Sequence, residues 1–271
     1  MGRVRRITSR GNPLVARFRD AARGRGPDGT VLLDGAHLVS EAIRSRVALQ
    51  IVAIVDTTID SALHDMEAIA ARSGAEIVRV PATVMAAMSP VRQPSGIVAL
   101  ANVNRAELDN ALAHQMSLLL VLDGVQDAGN VGAIIRAAEA CGATAVVTTR
   151  GTADPFGWKA LRGAMGSTFR VPVASCASVE DVVERLRNRG IRVLATVPRG
   201  GTPLPLCNFR QPIAVLLGSE GAGLSDELIA RADEQISIPM RAPVESLNVA
   251  VSAALVLYEA SNQRAGDVAV S

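Results

Sequence analysis

Aromatic residues are scarce in this sequence: one Trp, one Tyr and four Phe amount to 2% of its 271 residues. Modules that bind RNA by stacking bases on exposed aromatic side chains depend on such residues. The composition therefore disfavours a stacking platform of the RRM type. Any RNA contact would have to use charge, shape and backbone donors instead.

The cysteines are few, odd in number and far apart, at Cys141, Cys176 and Cys207. This spacing fits neither a disulfide framework nor a zinc site. The three histidines are scattered as well, and no cluster of metal ligands is visible. We expect a protein that works without a metal.

Long apolar runs are missing too. No stretch approaches the roughly 20 apolar residues that span a bilayer, and the run at 117–124 has the length of a strand. The basic residues 1–13 are not followed by an apolar stretch, so no secretory signal is predicted. With 49% apolar and 20% charged residues, we expect a globular cytoplasmic protein of one large or two small domains, without a membrane partner.

Positive charge is nearly all arginine, with Lys159 the single lysine, and it is unevenly distributed. The net charge is only +2, yet residues 1–30 hold eight Arg against two Asp. We interpret this stretch as a basic arm that attracts a phosphate backbone, although a membrane surface or a plainly solvated tail would also explain it. The candidate RNA-binding side chains are Arg3, Arg5, Arg6 and Arg10.

The remaining sequence alternates strand-like and helix-like segments. Leu14, Val15 and Phe18 have helical spacing in the basic arm, and a β-α-β-α-β pattern follows from residue 31 to 103. We predict a small N-terminal α/β domain over 1–106, including the arm, and a polar linker over 107–115.

A second domain is predicted over 116–271. It begins with the apolar run SLLLVLDGV, the kind of strand that parallel sheets bury. Regular alternation of strands and helices continues to the end, which predicts a parallel α/β sheet. On pattern alone this domain would be Rossmann-like.

A glycine-rich loop, GSEGAG at 218–223, follows one of these strands, where open α/β sheets place their ligands. No Gly-Lys-Ser/Thr follows it, so it is not a P-loop, and it lacks the G-x-G-x-x-G pattern of dinucleotide sites. The glycines allow the backbone to approach a ligand closely. A tight strand-to-helix turn is the alternative explanation.

Three stretches together resemble the signature motifs of the SpoU (TrmH-like) RNA 2′-O-ribose methyltransferases of the SPOUT class. They are DAGNVGAIIRAAEACGA (127–143), LLGSEGAGLSDEL (216–228) and SIPMRAPVESLNVAVSAALVLYEA (237–260). The resemblance implies a C-terminal SPOUT α/β domain with a trefoil knot, the cofactor S-adenosyl-L-methionine and a homodimer. The segment LLDGAHLVSEAI in the N-terminal domain is similar to L30e-like substrate-binding domains.

The resemblance also implies which residues bind the cofactor. In this family S-adenosylmethionine is held by main-chain groups of the knot loops, which correspond here to Gly218, Ile238 and Leu247. The strand end near Thr196 supplies a further wall. Taken singly, Ile238 and Leu247 would be interpreted as ordinary core residues, and only the motif context assigns them to a site.

The catalytic residues implied by the resemblance are Asn130, Arg136, Glu220, Ser246 and Asn248. We expect Arg136, acting across a dimer interface, to orient the target phosphate and 2′-hydroxyl rather than to act as a base, because arginine keeps its proton. The two Asn order the loops, Ser246 contacts substrate or caps the last helix, and Glu220 holds Arg136 or a loop amide.

A plain structural role for Arg136 is also open. Glu139 lies three residues further along the same helix, and the two side chains are spaced to form a salt bridge. Relatives carry Arg-x-Ser-x-Gly-Ala in the segment that reads RGAMGS here, so Ala164 replaces a serine and a contact there is in doubt.

The predicted function is S-adenosylmethionine-dependent 2′-O-methylation of RNA, with 23S rRNA favoured. The alternatives are a tRNA 2′-O-methyltransferase and a non-catalytic RNA-binding or ribosome-assembly factor on the same fold. A self-protecting antibiotic-resistance methyltransferase would share this architecture. An ordinary Rossmann enzyme is disfavoured, because the phosphate and dinucleotide fingerprints are missing.

Overall fold

The structure, a computed structural model, describes residues 5–56 and 61–265, and for residues 61–65 it describes the backbone alone. Two compact units divide the chain. The N-terminal unit contains the described residues up to Asn104 together with Phe156–Phe169. The C-terminal unit contains Arg105–Pro155 and the described residues from Arg170 onward.

The N-terminal unit is built on a five-stranded mixed sheet. Its order is β1-β4-β3-β5-β2, and β5 runs antiparallel to both of its neighbours. The elements are β1 (Arg5–Arg6), α1 (Pro13–Ala22), β2 (Thr30–Asp34), α2 (Ala36–Arg44), β3 (Ala48–Val55), α3 (Ser61–Arg72), β4 (Glu76–Val80), α4 (Ala82–Met88) and β5 (Ile97–Asn102). The predicted smaller α/β domain is thereby confirmed.

The basic stretch is not a free arm, and this part of the prediction is wrong from residue 5 onward. Arg5 and Arg6 form a parallel edge strand on β4. Helix α1 begins after Asn12, whose side chain accepts a hydrogen bond from the Leu14 amide. Its apolar face is buried in the core of the unit, because helical spacing places the residues Leu14, Val15, Phe18 and Ala21 on one side.

The C-terminal unit is built on a seven-stranded sheet, and every strand pair in it is parallel. Its order is β10-β12-β9-β11-β6-β7-β8. The elements are α5 (Leu108–Ala111), β6 (Leu118–Leu122), α6 (Ala128–Ala140), β7 (Ala145–Thr148), α7 (Trp158–Ala164, which belongs to the N-terminal unit), β8 (Val173–Ser175), α8 (Val179–Asn188), β9 (Arg192–Thr196), β10 (Thr202–Pro203), β11 (Ile213–Leu217), α9 (Asp226–Ala230), β12 (Glu234–Ser237) and α10 (Val249–Ala265).

The parallel sheet was predictable because its central strands are apolar throughout. Every residue of β6 and of β11 is buried, as expected for strands covered on both faces. The fold class is confirmed, and the trefoil knot stays a prediction. Among the described residues, no helix combines the length and apolar character needed to cross a membrane.

The segment Phe156–Phe169 departs from the predicted domain boundaries, which placed it in the second domain. Trp158 packs against the core of the N-terminal unit. Arg162 approaches the buried carboxylate of Asp34 at 3.9 Å, and Gly166 lies so close to Glu41 that an added Cβ would be 2.6 Å from the Glu41 Cβ. In the predicted linker 107–115, Ala111 and Leu112 are buried in the C-terminal core.

The last helix is anchored at its C-terminal end. The half-buried guanidinium of Arg264 donates hydrogen bonds of 2.8–3.0 Å to four main-chain carbonyl oxygens, those of Met116, Ser117, Phe209 and Gln211. Next to it, the Gln263 side chain bonds the Phe209 amide and the Cys207 carbonyl. These bonds tie α10 to the start of β6 and to the loop before β11.

Candidate active site

A cavity of about 600 Å³ opens at the carboxyl ends of three neighbouring strands, β9, β11 and β12. The loops that follow these strands line it together with the start of α10. All four residues predicted to bind the cofactor, Thr196, Gly218, Ile238 and Leu247, are in its wall. Parallel strands bring their carboxyl ends to one edge, which explains why residues so distant in sequence meet here.

The fold of the loop itself requires a glycine at position 218. A Cβ at this position would lie 2.2 Å from the carbonyl carbon of Gly223, because the loop folds back across it. Reciprocal main-chain hydrogen bonds of 3.0 and 3.3 Å between Ser219 and Gly223 close this loop. The sequence predicted close approach to a ligand, and the structure adds a close approach of the backbone to itself.

Ile238 and Leu247 are half-buried wall residues rather than core residues, so the interpretation as simple core packing is wrong for both. Thr196 ends β9, and its hydroxyl donates to the Leu216 carbonyl oxygen at 2.8 Å. The wall therefore combines apolar side chains with main-chain groups of turns. Such a lining suits a small ligand with an apolar body and a few polar atoms.

Three of the predicted catalytic side chains form a hydrogen-bonded chain that joins the three motif stretches. Asn248 Nδ2 donates to Asn130 Oδ1 at 3.1 Å, and Asn130 Nδ2 donates to Glu220 Oε1 at 2.8 Å. The second carboxylate oxygen of Glu220 accepts from the Gln126 amide at 3.4 Å. Because each Asn donates on one side and accepts on the other, the direction of both amides is fixed.

Asn248, and not Ser246, caps the last helix. Its Oδ1 accepts hydrogen bonds from the amides of Ala250 and Val251, the pattern of an N-cap residue. The capping role predicted as one possibility for Ser246 is therefore wrong. Ser246 lies two residues before Asn248, exposed and in the cavity wall, where its hydroxyl is available to a ligand.

Glu220 is held in its ionised form. Desolvation opposes its charge, but hydrogen bonds from Asn130 and from the backbone amides of Glu220, Gln126 and Asp127 outweigh that effect, so the pKa of Glu220 is lowered. A carboxylate that stays ionised is an acceptor only. It can therefore orient Asn130 without competing as a donor.

Arg136 lies exposed on α6, and neither structural partner considered for it is correct. Glu139 binds Arg170 instead, through bonds that include one of 3.0 Å from Arg170 Nη2. Glu220 binds Asn130. No described residue forms a hydrogen bond or ion pair with Arg136, so its guanidinium is available to a ligand.

Comparisons with known proteins agree with this geometry. The model of the SpoU rRNA methylase family matches residues 117–258, more than half of the chain, and that of the MRM3-like substrate binding domain matches residues 15–99. The chain belongs to the SpoU rRNA methylase family. This SpoU protein is 33% identical to the Bacillus subtilis 23S rRNA (guanosine(2553)-2′-O)-methyltransferase RlmP, over 84% of this chain and 87% of that protein.

Solved structures give the same result. An AdoMet-bound rRNA methyltransferase from Sinorhizobium meliloti superposes with a TM-score of 0.85 at 28% identity, over 96% of this chain and 98% of that one. The AdoMet complex of AviRb from Streptomyces viridochromogenes has a TM-score of 0.81 at 28% identity, over 92% and 98%. The TrmH/SpoU tRNA modifying enzyme of A. aeolicus matches over 59% of this chain and 82% of that one, with a TM-score of 0.51 at 26% identity.

The predicted RNA-binding arginines of this SpoU protein lie in its N-terminal unit, and Arg3 lies outside the described residues. Arg5 is 3.7 Å from the carboxylate of Glu76, and Arg6 is 2.9 Å from that of Asp56. The third, Arg10, pairs with no carboxylate among the described residues, and its Nε donates to a main-chain oxygen of α4. Their role in binding RNA stays a prediction.

Sequence reasoning missed two contributors in this SpoU site. Asp127 caps α6, since its Oδ1 accepts from the Asn130 amide at 2.9 Å, and thereby orients the helix that carries Asn130 and Arg136. An Asp just before an apolar helical run is a recognisable N-cap signal. Asp226 adds a carboxylate to the cavity wall, and nothing in its local sequence distinguishes it from an ordinary first-turn acid.

Proposed function

We propose that this protein methylates a ribose 2′-hydroxyl of RNA with S-adenosyl-L-methionine as the methyl donor, and that its substrate is 23S rRNA. The observation that carries the proposal is the convergence of the three motif loops on one cavity. All four cofactor residues line it, and the chain from Asn248 through Asn130 to Glu220 joins those loops.

The residues present fit the cofactor. The cavity volume of about 600 Å³ is within the range of small-ligand sites. Main-chain groups around Gly218 and the side chains of Ile238 and Leu247 would hold it. When bound, S-adenosylmethionine supplies an electrophilic methyl group on a sulfonium centre.

The protein's own contribution is to position and stabilise the nucleophile. Arg136 is exposed and has no described partner, so its guanidinium is suited to bind the target phosphate and to stabilise the negative charge that develops on the 2′-oxygen. Ser246 adds a hydroxyl in the cavity wall. Asn130, Asn248 and Glu220 hold the loops at fixed positions, which supports the rate through orientation.

Two comparisons support rRNA over tRNA. The relative RlmP is named for 23S rRNA, and the rRNA methyltransferase structure from Sinorhizobium meliloti covers nearly the whole chain. The tRNA modifying enzyme covers only 59% of it. We include the cytoplasm as the protein's compartment, and independence of metal ions, in the proposal.

We also propose a homodimer. Val251, Leu255 and Tyr258 follow one another at helical spacing on α10 and are 48%, 40% and 63% exposed. An apolar stripe of this kind is best covered by another protein surface, and a second copy offers the same stripe. Light scattering should show a dimer, and L255E with Y258E should give a monomer; a monomeric wild type would refute this part.

The decisive experiment incubates the protein with radiolabelled S-adenosylmethionine and unmodified 23S rRNA or tRNA, followed by digestion to nucleosides. We expect a labelled 2′-O-methylnucleoside from 23S rRNA. Label in tRNA alone would transfer the assignment to tRNA. Absence of both label and cofactor binding in calorimetry would favour a non-catalytic RNA-binding or ribosome-assembly factor.

A further inference from the structure

Two arginines of the N-terminal unit have their guanidinium groups fixed by main-chain oxygens of the same helix. Arg10 Nε donates to the Thr83 carbonyl oxygen at 2.9 Å, and Arg19 Nε donates to the Ala87 carbonyl oxygen at 3.0 Å. Both acceptors are on α4 and are four residues apart. At a rise of 1.5 Å per residue, this separates them by about 6 Å along the helix axis.

The terminal nitrogens of both side chains are free. Arg10 and Arg19 are exposed, and no described residue accepts a hydrogen bond from their Nη1 or Nη2 atoms. A guanidinium presents these two nitrogens as a planar fork that matches a phosphate. With Nε already bound, the fork is held in place before any ligand arrives, which lowers the entropy lost on binding.

The helix that anchors both forks carries no opposing charge. Helix α4 reads ATVMAAM and has no acidic residue. Asp20, the acid next to Arg19, is bound by Arg25 at 3.1 Å. Arg5 and Arg6 differ, because each is paired with a carboxylate.

A purely structural role explains part of this arrangement. The Ala87 carbonyl is among the last four of α4, which lack partners within the helix, so Arg19 acts as a C-terminal cap. That role uses Nε only. It does not account for a second arginine placed in the same way one turn away, nor for two free forks on the same side of an uncharged helix.

We propose that Arg10 and Arg19 bind successive phosphates of the RNA backbone and so dock the N-terminal unit on the substrate. The carbonyl oxygens that anchor the two forks lie about one helical turn apart on α4, so one strand of RNA can contact both forks. Contacts of this kind position a protein without reading the sequence. The inference rests on the proposed function, in that RNA is taken as the substrate.

The test measures binding of a 30-nucleotide RNA hairpin by fluorescence anisotropy over a series of salt concentrations. The variant R10Q/R19Q removes both forks but retains amide donors for the Thr83 and Ala87 carbonyls. We expect roughly tenfold weaker binding and a salt-dependence slope that is smaller by about 1.4 to 1.8, the value for two lost phosphate contacts. The matched control R44Q/R72Q makes the same change in net charge at two exposed arginines of the same unit, and should weaken binding much less.

Equal losses in both double variants would assign the effect to net charge and overturn the proposal, as would R10Q/R19Q binding like the wild type. If R10Q/R19Q has a lower melting temperature than the wild type, R10K/R19K is used in its place. We expect this variant to bind the hairpin more weakly but with the same salt dependence, because the charge remains and the fork is lost. Binding to phosphatidylserine vesicles, with none to the hairpin, would assign the surface to a lipid and overturn it. Methylation with normal hairpin affinity in R10Q/R19Q would refute this inference alone, whereas absence of methylation of any RNA would refute the proposed function.

Discussion

Arg136 on α6 and Arg264 on α10 show two opposite uses of arginine within the C-terminal unit. Arg264 is half-buried and saturated by four main-chain oxygens, and burial lowers its pKa. Arg136 is exposed and has no described partner. A guanidinium that supports the fold is satisfied by the chain itself, whereas a free one on an ordered helix is a candidate for substrate.

The largest effect should come from R136A. If Arg136 stabilises the transition state, turnover should fall roughly a thousandfold, the magnitude seen when one such donor is removed. Cofactor affinity by calorimetry and the melting temperature should both stay at the wild-type values. The control is R185A, which removes an exposed arginine of α8 and should be fully active. If R136A turned over as fast as the wild type, the proposed role of Arg136 would be contradicted.

The next effect concerns the cavity wall. In G218A the new Cβ would lie 2.2 Å from the backbone of Gly223. Relieving such overpacking costs about 1–3 kcal/mol, which is roughly five- to 150-fold in cofactor affinity if the loop must shift. G221A adds the same methyl group where nothing lies within 4 Å. Calorimetry should therefore show weaker cofactor binding in G218A than in G221A, although both substitutions are in the same loop. Equal affinities would show that the close approach of Gly223 to Gly218 does not shape the cavity.

Arg264 should affect stability rather than chemistry. R264A leaves four carbonyl oxygens without their donor, and we expect a loss of about 2–4 kcal/mol in the free energy of unfolding. R264K should recover little, because one ammonium has only three donors and no planar fork. Denaturant titration checks this, with R185A expected within about 0.5 kcal/mol of the wild type. If R264A were as stable as the wild type, the contrast with Arg136 would disappear.

The smallest effect is the dependence on pH through Glu220. Its pKa is lower in the folded protein than in the unfolded chain, so its contribution to stability is complete above the ordinary glutamate value of about 4.3 and is lost as the pH falls below that value. Comparing the melting temperatures of wild type and E220Q from pH 3 to 7 should show a gap that closes toward acid. A difference in melting temperature that grows toward acid pH would show that folding raises the pKa of Glu220 instead of lowering it.

Sequence patterns predicted those strands and helices that are determined by residues close together along the chain. Buried parallel strands such as β6 and β11 read as unbroken apolar runs, and α1 follows from the spacing of Leu14, Val15 and Phe18. The cavity residues were found through motifs, because no local property of Ile238 or Leu247 distinguishes a wall from a core.

What the sequence could not predict depends on contacts far along the chain. Ser246 and Asn248 are both good N-cap residues, and only the structure shows at which residue the helix begins. The bond between Asn130 and Asn248 joins positions 118 residues apart. The basic stretch was interpreted as an arm that attracts a phosphate backbone. In the structure Arg5, Arg6 and Arg10 have partners on β4, just after β3 and on α4.

The membership of Phe156–Phe169 in the N-terminal unit constrains the order in which the protein can mature on the ribosome. Synthesis proceeds from the N-terminus, and domains generally fold as units as they emerge. The N-terminal unit, however, still lacks Trp158 and Arg162 when residue 104 has been made. The N-terminal unit is therefore completed only after β6, α6 and β7, which belong to the other unit, have left the exit tunnel.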